Sequence, residues 1–582
     1  MIGTMLSSFI QRERIHMNDN LRVLIVGGVA CGPKTASRLK RLLPHAHITM
    51  IERGSVISYG ACGLPYYVEG MFSDIEMLCQ TPVGISRNAP FFEKVKGFEA
   101  LTRVEALRIN RLAKTVTVKY LDRGVEEDLP YDKLVLATGG RALKPPFAME
   151  ELENVWFMRH PDDAAGMVHK IEGDRLRKAV IIGAGYIGVE MAEALVRRGL
   201  EVSVVEARSH ILPQFLDEDM ALWAAKHLKQ KGVNLLLGEN VVGLEGRSGR
   251  IAQVKTENTR LSADLVLISI GVCPNDHLAR DAGLECSPRG GIFINSHCQT
   301  SDSEIYAGGD CVLNHHVDPI MRSPLYAPLG STSNKHGRVI ANHIAGISTP
   351  YSGITGTGIC RAFDITIGRT GFTEKQAREL DANVETAIWA GPDLPHYVPQ
   401  SKPVIIKVVA SGRSRKLLGV QVVGMGDVSK RLDIASTALF FGATVDEVGD
   451  LDLGYAPPYA PPIDPIAAAV HLMANKLDGL AAGISPVEAM GRMNRGDSLL
   501  LLDVRTPAEY AAMQLPHEVV HIPLGALRER MHELPRDRDI LAFCKVSMRG
   551  YEAQRILNAA GFERVFFIEG GLVGWPYEVH VP

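Results

Sequence analysis

Short apolar runs alternate with amphipathic stretches along most of the chain, a pattern typical of strands buried in parallel sheets between helices. The run LRVLIV at 21–26 leads into the glycine turn GGVACG, the helical pattern PKTASRLKRLL and a second strand pattern, HITMIER. The same order recurs at 178–206, where KAVIIGAGYIGVEMAEALVRRG precedes EVSVVE. The repetition predicts an α/β protein built on two copies of one strand, turn, helix and strand unit.

Each glycine turn joins a buried strand to a helix, so its backbone amides can face a pyrophosphate, and each second strand ends in an acid suited to a ribose hydroxyl. In the first copy Gly27 and Gly32 hold the outer positions, Val29 replaces the middle glycine, and the acid is Glu52. This order predicts a Rossmann-like dinucleotide-binding domain. The predicted contacts are Gly27, Val29, Ala30, Gly32, Glu52 and Arg53.

The second copy has the full glycine spacing, with Gly183, Gly185 and Gly188, and its second strand ends at Glu206. Two units predict two dinucleotides, FAD and a nicotinamide dinucleotide. Glu206 favours NADH, because a carboxylate binds the free 2′-hydroxyl and repels a 2′-phosphate, while the nearby Arg208 leaves NADPH possible. The predicted contacts are Gly183, Gly185, Tyr186, Ile187, Gly188 and Glu206.

Three later segments end strand patterns in glycine turns: YDKLVLATGG (131–140), ADLVLISIGVCPN (263–275) and EIYAGGDCV (304–312). The first two are expected where the chain crosses between the dinucleotide-binding domains. Asp310 is placed to accept hydrogen bonds from a flavin ribitol hydroxyl. Together these segments contribute the predicted contacts Thr138, Gly139, Gly271, Gly309 and Asp310.

Cys62 lies between glycines in ISYGACGLPYYV, where Pro65 suits the first turn of a helix because it has no N–H group to leave unpaired. Free amides at a helix start are expected to lower the pKa of the thiol, and the thiolate is the reactive form. A CxxxxC partner would fall at position 57 or 67, which are Ile57 and Tyr67. We therefore interpret Cys62 as a redox centre that works alone with an outside sulfur or oxygen species.

The C-terminal region carries LLLDVRTPAEY, DILAFCKVSMRGYEAQRILNAAGF and VFFIEGGLVGW. A strand that runs into Cys544, a turn that reaches Arg549 and a following helix would curl backbone amides around one sulfur. These segments resemble the rhodanese domain in the DVR sequence, the cysteine loop and the closing GG…W. The resemblance implies that Cys544 carries a persulfide, stabilised by the loop amides and Arg549.

Residues 20–475 resemble the FAD-dependent pyridine nucleotide-disulfide oxidoreductases, and within them the single-cysteine coenzyme A-disulfide reductases. The resemblance implies that electrons pass from the nicotinamide through FAD to a cysteine-linked sulfur. It also implies a homodimer formed by 347–474, with Tyr459, and less directly Tyr455, placed at the partner subunit's flavin and sulfur site. Tyr397 departs from the relatives' Tyr-Tyr-Pro-Gly pattern.

Lys34, Arg38 and Arg41 fall at i, i+4 and i+7 of the first predicted helix, so they share one face. An anionic substrate that reaches Cys62 could lie across them, and coenzyme A has phosphates at one end and a thiol at the other. The resemblance implies coenzyme A contacts at Lys34, Arg38, Arg41, Ser58 and Asn334. A solvated surface face is the alternative interpretation.

The domain boundaries follow from these motifs. A disordered extension is predicted for 1–20, an FAD-binding domain for 21–148 with 272–346, and an NAD(P)H-binding domain for 149–271. An α+β dimerisation domain (347–474), a linker (475–485) and a C-terminal α/β rhodanese domain (486–582) complete the prediction.

The formal net charge of −3 predicts no nucleic-acid or membrane field, and no apolar run reaches the roughly 20 residues of a membrane span. Nine cysteines without CxxC pairs and scattered histidines predict no metal site and a reducing, cytoplasmic location.

The predicted function is NADH-dependent reduction of coenzyme A persulfide, coenzyme A disulfide or polysulfide at Cys62. Cys544 would carry sulfane sulfur, and hydrosulfide would be released. Two alternatives remain open: an NADH oxidase or peroxidase that uses a Cys62 sulfenic acid, and a sulfur-delivery protein. The first is disfavoured because relatives of that class have a histidine at the position of Ala30.

Overall fold

A computed structural model of the chain describes residues 20–147, 151–321 and 324–581. Apart from Asn20, the predicted N-terminal extension lies outside the described residues. The α-helices are Cys31–Leu42 (α1), Leu64–Glu69 (α2), Ala89–Phe91 (α3), Pro161–Asp174 (α4), Tyr186–Arg197 (α5), Glu218–Gln230 (α6), His277–Asp281 (α7), Gly330–Ile344 (α8), Glu374–Leu380 (α9), Val428–Phe441 (α10), Val445–Gly449 (α11), Pro465–Leu477 (α12), Pro486–Asn494 (α13), Pro507–Ala512 (α14), Leu524–Arg530 (α15) and Met548–Ala559 (α16).

Two parallel five-stranded sheets carry the two glycine turns, as the sequence predicts. Their inner strands are mostly buried, because helices cover one face of each sheet and a three-stranded antiparallel unit covers the other. In spatial order the first sheet contains Ile305–Ala307, Lys133–Leu136, Arg22–Val26, His47–Glu52 and Glu99–Thr102. The second contains Asn234–Leu237, Glu201–Glu206, Lys178–Ile182, Leu265–Ile268 and Val155–Trp156.

Smaller antiparallel units pack against these two sheets. One three-stranded unit contains Val104–Asn110, Thr115–Tyr120 and Val125–Pro130, and the other contains Val241–Arg247, Arg250–Thr256 and Arg260–Ser262. Where the chain crosses between the two parallel sheets, Gly140–Ala142 pairs with Val272–Pro274. The crossing segments therefore hold each other, and they bring Gly139 and Gly271 to the space between the two sheets.

The third sheet is antiparallel, with α10 and α12 packed against it. Its strands are Gly358–Ala362, Ile365–Gly371, Leu417–Gly424, Pro403–Ser411 and Val384–Pro392. The stretch GICRAFDITIGRTG forms a hairpin, because Phe363 turns the chain with a φ of 58°.

The C-terminal sheet is parallel and packs against α16. Its strands are Gly483–Ile484, Val565–Ile568, Asp539–Phe543, Leu499–Asp503 and Val519–His521. The predicted fold is confirmed: an α/β protein with two dinucleotide-binding sheets, an α+β region whose sheet is antiparallel, and a C-terminal α/β region whose sheet is parallel.

Candidate active site

One continuous cavity of about 3400 Å³ runs along the carboxyl ends of the two parallel sheets. Most of the residues predicted to contact dinucleotides line it, together with Cys62. They are Gly27, Val29, Ala30, Glu52, Arg53, Thr138, Gly139, Gly183, Gly185, Tyr186, Ile187, Glu206, Gly271, Gly309 and Asp310.

The first glycine turn is fixed by close backbone contacts. Gly27 has a φ of 114°, and a Cβ atom there would lie 2.0 Å from the carbonyl oxygen of Ala137. A Cβ atom on Gly32 would lie 1.9 Å from the carbonyl oxygen of Gly27, so Gly32 permits the helix to pack against the turn without lining the cavity. The Glu52 carboxylate accepts the N–H of Gly28 at 2.8 Å.

The second turn repeats this geometry. Gly183 has a φ of 101°, and a Cβ atom on Gly188 would lie 2.0 Å from the Gly183 carbonyl oxygen. The Glu206 carboxylate accepts the N–H of Ala184 at 2.8 Å, as Glu52 does from Gly28. A Cβ atom on Gly185 would meet nothing within 4 Å, so the fold itself does not demand the middle glycine. This explains why Val29 is tolerated at the matching position of the first copy.

The cavity fits a flavin dinucleotide on the first turn and a nicotinamide dinucleotide on the second. Both turns present backbone amides at a helix start to open space, as a pyrophosphate requires. The Tyr326 hydroxyl is buried against the cavity without a hydrogen-bond partner in the described residues. At Gly140 a Cβ atom would lie 3.0 Å from that hydroxyl oxygen. A polar group of a bound cofactor would satisfy it.

Cys62 occupies the short turn Ala61–Gly63, and α2 follows with Pro65 in its first turn, as predicted. The predicted lowering of its pKa is wrong. Although the residue is exposed to the cavity, protein atoms surround the thiol, and this burial raises its pKa. The negative charges of Glu190 and then Asp310 raise the pKa further, whereas Arg159 and the backbone lower it.

Glu190 and Tyr66 were missed by the sequence analysis. Tyr66 lies one helical turn beyond Cys62, and its hydroxyl donates a hydrogen bond of 3.1 Å to the Glu190 carboxylate on α5. Burial raises the pKa of Glu190 to about 7. The nearby Arg361 lies over the Tyr66 ring but pairs with Glu69 and Glu193. The one sequence signal for Glu190 was its position just after the second glycine turn.

The cations of α1 lie beside those of a second helix. α1 packs against α8, which adds Lys335 and Arg338 to the predicted Lys34, Arg38 and Arg41. In the described parts of the chain no ion pair joins any of these five cations to an acid. Arg38 donates to the side-chain oxygen of Asn342 at 2.6 Å, and burial together with Arg338 lowers its pKa.

The two other predicted substrate contacts lie in different settings. Asn334 on α8 lines the cavity and is exposed. Ser58 is buried with a φ of 54°, and its N–H donates to the Gly28 carbonyl at 2.8 Å, so it supports the first turn without lining the cavity.

Tyr455 and Tyr459 lie apart from Cys62 within this subunit. Both line a separate pocket of about 590 Å³ with Asp393, Asp427 and Lys430. Tyr459 is 71% exposed, and Tyr397 is also exposed.

The Cys544 loop forms a second centre of sulfur chemistry. Cys544 follows the strand Asp539–Phe543 and is fully buried, and Arg549 lies in the first turn of α16. Gly571 packs under the loop, where a Cβ atom would lie 2.6 Å from the Cys544 carbonyl oxygen. The Leu572 N–H donates to that carbonyl at 3.0 Å. The closing glycine segment is therefore the floor of the loop.

Glu509 pairs with Arg549 and was also missed. Both carboxylate oxygens accept hydrogen bonds of 2.7 Å from the guanidinium, and this pairing lowers the pKa of Glu509 to about 2. The pKa of Arg549 is raised mainly by the hydrogen bonds that it donates to Glu509, and the charge of Cys544 adds to this effect. The TPAE sequence contains a usable signal, because Thr506 and Glu509 form a capping box.

Metal ligation and membrane spanning find no support in the described residues. Within 20–147, 151–321 and 324–581, no cluster of three or more His, Cys, Asp or Glu side chains could hold a metal ion. None of the helices that the structure describes has the length and apolar character needed to cross a bilayer.

Comparison with protein families divides the chain into three regions. Residues 21–331 match the pyridine nucleotide-disulphide oxidoreductase family, 359–465 match its dimerisation domain, and 485–577 match the rhodanese-like domain.

Individual relatives agree with this division. An NAD(P)H coenzyme A polysulfide/persulfide reductase of Pyrococcus horikoshii is 33% identical over 459 residues, covering 78% of this chain and all of the relative. The structure of an NAD-dependent persulfide reductase from A. fulgidus is 38% identical with a TM-score of 0.91, covering 95% of this chain and 100% of that one. The reduced Bacillus anthracis CoADR-RHD is 33% identical with a TM-score of 0.88, covering 96% and 98%.

Proposed function

Because the chain belongs to the pyridine nucleotide-disulphide oxidoreductase family and ends in a rhodanese-like domain, we propose that it uses NADH to reduce coenzyme A persulfide, coenzyme A disulfide or polysulfide at Cys62. The observation that carries the proposal is that Cys62 shares one cavity with both glycine turns. The names of its relatives support the choice of a sulfur substrate.

FAD on the first turn would supply two-electron transfer between the nicotinamide and sulfur. The chain would hold its pyrophosphate by the amides after Gly27, its ribose by Glu52 and its ribitol by Asp310. The nicotinamide dinucleotide would lie on the Gly183 turn. The buried Glu206 carboxylate there favours NADH over NADPH, because a 2′-phosphate would meet a negative charge.

The substrate's phosphates would bind the cations of α1 and α8. Five cations without acidic partners attract an anion more strongly than cations in ion pairs. Asn334 connects this surface to the cavity, because it lies on α8 and lines the same space as Cys62. A long, flexible pantetheine arm is the part of coenzyme A that could extend from these cations to the thiol.

At Cys62 the thiolate would attack the inner sulfur of the persulfide. A Cys62–S–S–CoA mixed disulfide forms, the persulfide S–S bond breaks, and hydrosulfide leaves with the bonding electrons. Two electrons from NADH then break the mixed disulfide, which releases the coenzyme A thiolate and restores the Cys62 thiolate.

Cys544 would carry sulfane sulfur as a persulfide in its closed loop, with Arg549 balancing the negative charge.

The chain would act as a homodimer through 347–474, with Tyr455 and Tyr459 contributing to the partner subunit's flavin and sulfur site. The proposed division of the chain is 21–148 with 272–346 for FAD, 149–271 for the nicotinamide dinucleotide, 347–474 for dimerisation and 486–582 for the rhodanese domain.

Replacing Cys62 with serine tests the proposal. NADH oxidation driven by coenzyme A persulfide should be abolished while the flavin absorbance stays intact. Turnover that persists in this variant would refute the role of Cys62. The NADH oxidase or peroxidase alternative is tested by mixing the reduced wild-type enzyme with hydrogen peroxide or with coenzyme A persulfide. A persulfide reductase should be oxidised faster by the persulfide, whereas a peroxidase should be oxidised faster by the peroxide. NADH consumption without any added protein would exclude a sulfur-delivery protein.

A further inference from the structure

A single segment, residues 569–577, both supports the Cys544 loop and attaches it to the rest of the chain. We call this segment the docking strip. It begins at Glu569, which is 1% exposed, directly after the strand Val565–Ile568. It contains the glycine floor under Cys544 and ends beyond Trp575.

On its inner side the docking strip binds the backbone of the loop. Leu572 donates its N–H to the Cys544 carbonyl, and Val573 donates to the Lys545 carbonyl, both at 3.0 Å. Gly571 leaves room for these contacts, because a Cβ atom there would lie 2.7 Å from the backbone of both Lys545 and Val546. The position of the sulfur-bearing loop is therefore set by the strip.

On its outer side the same strip binds α6 of the second dinucleotide-binding region. Trp223 donates its ring N–H to the Val573 carbonyl at 3.0 Å, so the backbone of Val573 bonds the loop on one side and α6 on the other. Lys226 donates to the carbonyl oxygens of Trp575 and Tyr577 at 3.3 and 2.9 Å, and burial lowers its pKa.

The beginning of the strip is held by the antiparallel third sheet. Glu569 accepts the N–H of Ile388 at 2.8 Å and pairs with Lys476 of α12 at 2.7 Å. A buried carboxylate is costly unless its partners stay in place, so these contacts fix where the strip enters the interface.

We propose that the reductase body positions the Cys544 loop through the docking strip, so that sulfur uptake by Cys544 requires the strip to be docked on α6. Trp223 and Lys226 are then positioning residues for a reaction that takes place in another domain. The inference rests on the proposed role of Cys544 as the persulfide carrier. Loop amides stabilise a developing charge only when they are already in position, so a small displacement of the floor lowers the rate.

The test uses the full-length, flavin-loaded protein and measures sulfur transfer from thiosulfate to cyanide. In the Trp223→Phe/Lys226→Met variant we expect kcat for sulfur transfer to fall about tenfold. NADH-driven reduction of coenzyme A disulfide should stay within about twofold, because neither residue lines the cavity. Lys226→Arg alone, with Trp223 intact, should keep most of the wild-type rate, because it keeps a cation that can donate to both carbonyls.

Arg536→Met is the matched control. Arg536 also donates to two backbone carbonyls, those of Ala560 and Gly561, but it lies outside the docking strip. The Arg536→Met variant should leave kcat for sulfur transfer unchanged. Iodoacetamide labelling gives a second measurement: Cys544, buried in the docked loop, should be alkylated faster in the double variant than in wild type or Arg536→Met.

Sulfur transfer within twofold of wild type in the double variant would overturn the inference. If that variant folds poorly, Trp223→Phe alone provides the same test, because it removes one N–H donor and keeps an aromatic ring. The Cys544→Ser variant distinguishes failure of the persulfide-carrier role from failure of the docking requirement. Sulfur transfer that survives Cys544→Ser refutes the persulfide carrier, whereas loss in Cys544→Ser without loss in the strip variants refutes only the docking requirement.

Discussion

The two candidate sulfur centres are built in opposite ways. Cys62 is exposed to a cavity of about 3400 Å³ at the junction of two dinucleotide-binding sheets, with carboxylates nearby. Cys544 is fully buried in a loop closed by Gly571 and faced by Arg549. The first arrangement gives large molecules access to a thiol, whereas the second would hold one small sulfur atom in a closed loop beside Arg549.

The acids near the two thiols also differ, because one has no cationic partner in the parts of the chain that the structure describes and the other has one. Glu190 near Cys62 has no cation within ion-pair distance among the described residues, and burial raises its pKa to about 7. Glu509 near Cys544 is held by the two terminal guanidinium nitrogens of Arg549, and its pKa falls to about 2. The acid beside the exposed thiol therefore lacks an ion pair within the described ranges, whereas the acid beside the buried thiol is fixed in one.

The largest expected effect separates the two thiols completely. Cys544→Ser should lower thiosulfate-to-cyanide sulfur transfer by at least about 10³-fold, because the nucleophile is lost. Reduction of coenzyme A disulfide by NADH should remain within about twofold of wild type, and Cys62→Ser should give the reverse pattern. If Cys544→Ser also lost the NADH-driven reaction, the two centres would not be independent.

Removing the guanidinium is expected to have the next largest effect. Arg549→Ala should lower kcat for sulfur transfer about 10²-fold, because the charge on the Cys544 persulfide loses its fixed donor. Glu509→Gln, which keeps Arg549 but removes its carboxylate partner, should cost much less. Equal losses in the two variants would show that the pair acts only by holding the loop together.

The two glycine turns could be predicted from the sequence because everything that defines them is local. A buried strand, a positive φ and a close helix determine Gly27 and Gly183, and the acids at Glu52 and Glu206 follow within one strand. The helix start after Cys62 was local too, and it was predicted correctly.

The direction of the Cys62 pKa could not be predicted, because its causes are not local. Burial is the largest of them, and the next is Glu190, which belongs to another domain of the fold. Lys335 and Arg338 join the cations of α1 only because α8 returns to pack against α1, about 300 residues later in the chain. Such partners depend on tertiary packing, which one sequence read alone does not specify.

A smaller effect is expected from removing one of the cations on α1 and α8, which are proposed to bind the substrate of Cys62. Arg338→Ala should raise KM for coenzyme A disulfide about fivefold with kcat unchanged, because one exposed phosphate contact is worth about 1 kcal/mol. The increase should shrink at high salt, which screens exposed charges. Arg260→Ala, a cation paired with Glu245 far from α1, is the control. An unchanged KM in Arg338→Ala would remove α8 from the proposed substrate surface.

The smallest effect concerns stability and follows from the contrast between Glu190 and Glu509. The pKa of Glu190 rises from 4.5 to about 7 on folding, so the stability that its neutral form contributes is present below pH 4.5 and lost as pH rises through about 7. Glu190→Gln stays neutral throughout. It should therefore melt about 2 °C above wild type at pH 8 and match it at pH 4.5.

Glu509→Gln should behave in the opposite way in the same melting experiment. The pKa of Glu509 is lowered to about 2, so its contribution to stability is present above its unfolded value of 4.5 and lost only as pH falls through about 2. The variant should melt below wild type at both pH 8 and pH 5. If both glutamine variants shifted the melting temperature in the same direction at pH 8, the two acids would not differ in the way that their partners require. The electrostatic contrast between the two thiol centres would then be wrong, even if each thiol kept its proposed chemistry.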